Sequence, residues 1–333
     1  MSQNQEKYAV DKHDLISHKY NLYQQFYVIG IDPKLMYTIN EADLKSLPEP
    51  LVLPKVISKY PNSDLSYLNV PDTIVASHCF PFGIVNDLIE FVEEKDLKIK
   101  EGKTENFSFS LDNQSTIDKK SSLRTNKVYF SCLLFYENLE KYKNCIYHRK
   151  SYYKNDTKNK NLLIPKVICL SSFSPFFNQS KQILELLKNY VSCYSVENIE
   201  NKSSYNLNLV PIENIIENLI FKLPMLPRGN NSIKLYKNCF NCNKIKNNES
   251  NIISFEETPP NKPPRCTNNY SLLLYYFRIE EIFEIIKYII LEEPILFFGE
   301  DKEILSKIIE SFVSLIYPLN YPHPIMTILP EQN

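Results

Sequence analysis

The chain has 333 residues, of which 43% are hydrophobic and 23% are charged, and its formal net charge is −1. These values are ordinary for a globular protein of about two domains, and the near-neutral charge excludes attachment to nucleic acid through a strong overall field. The chain has only five glycines, and neither glycine-rich phosphate-binding motif, GxGxxG or GxxxxGK[ST], occurs in it.

The first half of the chain contains several apolar stretches that are typical of strands. We predict strands at residues 26–31, 73–83, 106–111, 128–136 and 164–170. Residues 106–111 alternate polar and apolar side chains, as expected for a strand with one side facing solvent. Residues 40–70 carry Pro48, Pro50, Pro54 and Pro61, so they are predicted to be an extended loop.

Two helices are predicted next, because apolar residues recur there at spacings of three and four. The first carries Ile183, Leu184, Leu187 and Val191, and the second carries Ile212, Ile215, Ile216, Leu219 and Ile220. Pro224, Pro227 and Gly229 end the second helix and mark the preferred domain boundary. The strands and helices before this boundary together favour an antiparallel sheet followed by two helices. A further short strand is predicted after the boundary, at residues 251–255.

Residues 270–330 alternate helix and strand patterns. Apolar residues at helical spacing over 279–290 and 305–316 predict two helices, each with one buried apolar stripe. Short apolar runs follow each helix, PILFF at 294–298 and IMTIL at 325–329. Strands that are apolar on both faces and alternate with helices are typical of buried parallel strands. This part of the chain therefore predicts an α/β fold.

Few side chains are arranged as a catalytic or metal site. Cys239 and Cys242 form a CxxC pair that could bind zinc with Cys266, but no second CxxC or CxxH follows, which favours incidental thiols. Glu292 and Glu293 are neighbours at a helix end and point in different directions, unlike an acid/base pair. We predict no metal site, no cofactor and no covalent catalysis.

The chain also lacks signals that would direct it into or across a membrane. Its first residues, MSQNQEK, are polar and lead into no apolar run, so no secretory signal is predicted. Charged residues and Pro294 interrupt the longest apolar run, near 282–298, which excludes a transmembrane segment. The eight cysteines are interpreted as reduced and scattered. We expect a cytoplasmic protein with no nucleic-acid partner.

Several short blocks occur in an order that is itself informative. They are QFYVIG at 25–30, YP at 60–61, HCFPFG at 78–83, PKVICLSSFSPFF at 165–177, LPMLPRG at 223–229, LEEPILFF at 291–298, YP at 317–318 and ILP at 328–330. Each block alone is a weak signal. Taken in this order, they resemble the DENN domain family over nearly all of residues 20–330.

The resemblance implies a domain organisation. It implies a longin-like lobe at 20–223 with an antiparallel sheet plus helices, and the first part of an α/β lobe with parallel strands at 224–333. Residues 1–19 are polar and are expected to be a flexible N-terminus. Because the chain ends soon after the ILP block, we expect the α/β lobe to be incomplete and the downstream part of the family pattern to be missing.

The resemblance also implies a function. DENN domains act as guanine-nucleotide exchange factors for Rab-type small GTPases in membrane trafficking, by remodelling the switch regions of the GTPase. We therefore expect a Rab-family partner, no cofactor, and peripheral attachment to trafficking membranes. The predicted contact surface lies near the ends of the strands at 26–31 and 128–136, with Asp32, Arg124 and Lys127 as contact residues.

The alternative is a protein of the folliculin type. Such a protein would pair with another longin lobe and serve as a scaffold, effector or GTPase-activating partner without exchange activity. Such GTPase-activating proteins use an arginine beside a longin strand. Arg124, which lies just before the strand predicted at 128–136, is the candidate for this role.

Overall fold

The computed structural model describes residues 20–31, 53–62, 65, 67–84, 90–93, 96, 99, 102–113, 127–138, 160–200, 212–226, 232–236, 252–256, 270–316, 319 and 321–325. The strands are β1 (Tyr23–Gly30), β2 (Lys55–Tyr60), β3 (Glu90–Glu93), β4 (Thr104–Asp112), β5 (Lys127–Asn138), β6 (Lys160–Ser172), β7 (Ser232–Tyr236) and β8 (Ile252–Glu256). The helices are α1 (Asp72–Cys79), α2 (Phe177–Glu200), α3 (Ile212–Phe221), α4 (Tyr270–Tyr276), α5 (Ile279–Ile290) and α6 (Lys302–Leu315). We call β1–β8 with α1–α3 the sheet lobe, and α4–α6 with residues 321–325 the helical lobe.

One antiparallel sheet organises the sheet lobe. Its strand order is β2-β1-β6-β5-β4, and β3 pairs with the first residues of β6. The central strand β6 is antiparallel to both neighbours, so that Ile168 lies opposite Val28 of β1 and Leu133 of β5. The structure therefore confirms the predicted antiparallel sheet with helices.

Helices cover both faces of this sheet. Along β5, alternate side chains such as Phe130 and Cys132 face a cluster completed by α1, whereas Leu133 faces a second cluster built with α2 and α3. The result is a helix–sheet–helix arrangement of three layers. Because both faces are buried, the central strands are apolar on both sides rather than alternating.

The predicted strand at 73–83 is wrong, because residues Asp72–Cys79 form helix α1. Pro71 precedes this helix at its N-cap. Val75, Ala76 and Cys79 fall on one side of a helix and are buried in the first cluster. Burial of this side outweighs the strand preference of the β-branched residues in the segment.

Strand β2 lies inside the region predicted as loop. It begins directly after Pro54 and ends directly before Pro61, so neither proline ring interrupts its ladder with β1. The prolines therefore border this strand and do not exclude it.

Both predicted helices of the first half are confirmed as α2 and α3. Ile183, Leu187 and Ile216 are among their side chains buried in the second cluster. The β7–β8 hairpin packs on this cluster too, and the ring of Phe255 meets Tyr23 edge-on with centroids 6.4 Å apart. Residues beyond 223 thus contribute to the core of the sheet lobe, while the predicted domain boundary there stays a prediction.

The helical lobe has its own apolar cluster. Its buried members are Leu273, Ile282, Ile289, Ile308, Phe312 and Ile316. The predicted stripe of α5 is only partly buried, because Ile279 and Phe283 are 59% and 68% exposed. Residues 294–298 form no strand, 326–329 lie outside the described residues, and no parallel strand pair occurs in the part of the chain that is described.

No helix among these described residues has both the length and the apolar character needed to span a bilayer.

Candidate functional site at the junction of the lobes

The helical lobe attaches to the sheet along the edge strand β4. Strand β4 pairs with β5 on one side, so alternate backbone amides point the other way. The Ser110 amide donates to the Ile325 carbonyl at 2.8 Å, and the Ser108 amide donates to Ser306 Oγ at 3.4 Å. The helical lobe thereby covers a strand edge that would otherwise be open to pairing with another chain.

The polar side of β4 faces the helical lobe and not solvent. Asn106, Ser108 and Ser110 are all buried. Ser108 Oγ donates to the Glu310 carboxylate, and Ser110 Oγ accepts from the Ile325 amide at 3.0 Å. The strand predicted at 106–111 is confirmed within β4, but the expected exposure of one side is wrong, because its polar side chains form an interface.

Lys127, at the start of β5, binds the helical lobe through several contacts. Its ammonium donates to the Tyr321 carbonyl at 2.7 Å and to the His323 carbonyl, and it lies 5.2 Å from the centroid of the Tyr321 ring. Burial lowers the pKa of Lys127, and the Asp112 carboxylate opposes that shift. Hydrogen bonds from a charged donor contribute about 1.5–3 kcal/mol each.

A carboxylate and two lysines form the second group of contacts. Glu303 of α6 accepts from Lys181 of α2 at 2.6 Å and from Lys307, one turn further along α6, at 2.7 Å. Burial raises the pKa of Glu303, but the hydrogen bonds from both lysines outweigh this effect, so the pKa lies below its ordinary value. Lys302 and Glu105 add an ion pair of 3.4 Å between α6 and β4.

A small, partly open cavity of about 40 Å³ lies beside these contacts. Its walls come from β4, β5 and the first turns of α2 and α6, and they include Asn106, Ser131, Lys181 and Glu303. The Asn106 Oδ1 atom is buried without a hydrogen-bond partner. The space is enough for roughly two or three water molecules, so the cavity can hydrate the junction but is too small for a nucleotide.

Of the three predicted contact residues, the described part of the chain includes Lys127. Asp32 and Arg124 lie outside the described residues. Ile29, near the end of β1, pairs with Val167 of β6, and Val167 pairs in turn with Leu134 of β5. Leu134 is seven residues from Lys127, or about 23 Å along β5, so the end of β1 and the start of β5 lie at opposite ends of the sheet. Contact of Asp32, Arg124 and Lys127 with a GTPase stays a prediction, and the described part of the chain shows Lys127 bound within the protein.

Three cysteines come together in the core, although the sequence suggested scattered thiols. Cys132 lies opposite Cys169 in the sheet, with their sulfur atoms 2.9 Å apart, and Cys79 Sγ is 3.9 Å from Cys132 Sγ. The residues of the CxxC pair and Cys266 lie outside the described residues. Among those that are described, no three His, Cys, Asp or Glu side chains are arranged to hold a metal ion.

Comparison with known proteins decides the family. The family model of the DENN (AEX-3) domain matches residues 163–332, just over half of the chain. The chain belongs to the DENN family. In this DENN chain the matched region starts within β6 and extends past α6, so it includes the centre of the sheet and the whole helical lobe.

Mouse DENN domain-containing protein 3 is 24% identical over 190 residues, which cover 56% of this chain. The match spans only 13% of the length of the mouse protein. No solved structure matches the chain.

Proposed function

We propose that this DENN chain is a guanine-nucleotide exchange factor for a Rab-type small GTPase, acting as a peripheral protein on trafficking membranes. Family membership carries the proposal, since proteins with DENN domains generally act on Rab GTPases. The arrangement of two lobes with separate apolar cores is consistent with it, because two bodies can contact one GTPase from different sides.

The proposed mechanism requires no bond-making by this chain. An exchange factor binds the GTPase more tightly when the switch segments have moved away from the nucleotide and Mg²⁺, so it shifts the population towards that open state. A binding preference of about 5.5 kcal/mol moves such an equilibrium from 1:99 to 99:1. A protein interface of standard size is large enough to supply this preference.

We propose Asp32, Arg124 and Lys127 as contacts for the GTPase. The Lys127 ammonium can reach a partner only when its bonds to the Tyr321 and His323 carbonyls open. Exposed aromatic side chains such as Tyr275 are further candidates, since tyrosine is enriched at protein interfaces.

The experiment measures release of fluorescent GDP from a panel of purified Rab GTPases with and without this chain. We expect faster release from at least one GTPase, and slower release again with the Arg124→Ala protein. Arg278→Ala is the matched control, because Arg278 is exposed and pairs with Glu281 on its own helix. No acceleration for any GTPase, with the longest native polypeptide that carries these residues also inactive, would contradict the proposal.

The same assay separates the folliculin-like alternative. An increase in GTP hydrolysis that is lost in the Arg124→Ala protein would indicate a GTPase-activating partner. Binding of the GTP form with neither rate changed would indicate an effector or scaffold. Pairing with a second longin lobe stays a prediction.

We further propose that residues 294–298, which pair with no strand in the described part of the chain, form the first strand of a parallel sheet with a segment outside the described residues. Ile295 and Phe297 pack on the cluster of the helical lobe, whereas Leu296 and Phe298 are 62% and 87% exposed. This alternation has the period of a strand that is covered on one side. Slow amide exchange over 294–298 is expected, and fast exchange throughout that run would contradict the pairing.

A further inference from the structure

The junction between the lobes differs in composition from the core of either lobe. The apolar clusters of the sheet lobe and of the helical lobe share no residue, and every member of the helical cluster lies between Leu273 and Tyr321. Each lobe therefore buries its apolar side chains internally. Separating the lobes leaves these clusters intact.

Among the described residues, hydrogen bonds and ion pairs join the lobes along one line beside β4 and the start of β5. They are the Lys302–Glu105 and Lys181–Glu303 ion pairs, the Ser108–Ser306, Ser108–Glu310 and Ser110–Ile325 hydrogen bonds, and the bonds from Lys127 to Tyr321 and His323. We call this line the seam. Each of its groups can exchange its partner for water when the lobes part, which apolar side chains cannot do without loss of the hydrophobic effect.

Water is also able to reach the seam from within. The cavity beside α6 borders Ser108, Ser306 and Glu310. A cavity of this volume next to the hydrogen bonds has room for the water molecules that would replace them.

We propose that the seam is a hinge at which the helical lobe separates from the edge of β4 as one folded body, while both lobes keep their cores. A consequence of the hinge, which rests on the proposed function, is that opening frees the Lys127 ammonium for contact with the GTPase. Lys127 is then a positioning residue in the closed state, because it holds the helical lobe through the carbonyls of Tyr321 and His323.

Residue-resolved hydrogen exchange tests the hinge without any GTPase. The amides of Ser108 and Ser110 are bonded across the seam, whereas those of Phe107 and Phe109 face β5 by strand alternation. We expect the two serine amides to exchange at least about tenfold faster than the two phenylalanine amides, because they need only the seam to open.

A salt series and a matched pair of variants test whether opening of the seam causes the faster exchange of the two serine amides. Exchange at both serines should rise together from about 0.05 M to about 0.5 M NaCl, because salt screens the ion pairs of the seam, while the amides of α6 stay protected. The Lys127→Met substitution should raise the exchange rates of the two serine amides further. Lys166→Met is the control, since Lys166 pairs with Glu137 inside the sheet.

Two results would overturn the hinge. One is exchange of all four amides at a single rate, since the lobes would then open only by global unfolding. The other is fast exchange at one serine alone without dependence on salt, which is local fraying of an edge strand. If Lys127→Met does not fold, the salt series on the unaltered protein still decides. A chain that shows the hinge but binds no Rab GTPase would refute the proposed function alone.

Discussion

Replacing Phe312 by alanine should destabilise the helical lobe while leaving the stability of the sheet lobe unchanged. Phe312 is 1% exposed and is the largest fully buried side chain in α6. Its ring meets Phe277 with centroids 5.5 Å apart and stacks on Phe297 at 5.6 Å. Removing a buried phenylalanine costs about 3–5 kcal/mol, so opening of the helical lobe should increase roughly a hundredfold to several thousandfold.

The assay is hydrogen exchange followed by mass spectrometry of peptides from α6 and from β5. In the Phe312→Ala protein we expect faster exchange in α6 and unchanged exchange in β5, because the two cores share no side chain. Phe130→Ala is the matched control: Phe130 is fully buried in the sheet lobe and stacks on Phe109 at 4.8 Å, so its loss should expose β5. Equal loss of protection in α6 and β5 after Phe312→Ala would refute the separation of the two cores.

Three further predictions concern single side chains. The pKa of Glu303 is lowered in the folded protein, so its stabilising contribution is complete above the unfolded value of about 4.3 and disappears as the pH falls through the folded value. The Tm should therefore fall more steeply below about pH 4.3 in the unaltered protein than in Glu303→Gln, and parallel curves would contradict this. Asp301 accepts the amides of Glu303 and Ile304 at the start of α6, so Asp301→Ala should lower the unfolding free energy in urea by about 1 kcal/mol. Asp301→Asn, which keeps the acceptor, should lose less, and an equal loss would refute the capping role. Tyr23→Phe removes a buried hydrogen bond of 2.9 Å to Ser180 Oγ and should cost about 1 kcal/mol in the same assay; an unchanged midpoint would show that the bond contributes nothing.

Strong periodicity made some elements predictable. The helices α2, α3, α5 and α6 and the strands β5 and β6 lie where apolar spacing placed them, because burial of one helix side or of both strand faces leaves a clear pattern. The segment that forms α1 was predicted to be a strand. It is short, and its β-branched residues suit a strand as well as the helix that Val75 and Cys79 require in the core.

The sequence by itself determined the antiparallel sheet, the flanking helices and, through the order of its short blocks, the DENN family. Only the tertiary structure decided what the polar side chains do. Alternation along β4 shows that Ser108 and Ser110 are not in an apolar core, but a strand side that faces water and one that faces a polar helix have the same pattern. The partners of Lys127 lie 194 and 196 residues away, and the cross-strand position of Cys132 opposite Cys169 depends on register. Neither leaves a local signal, because each depends on how distant segments are brought together.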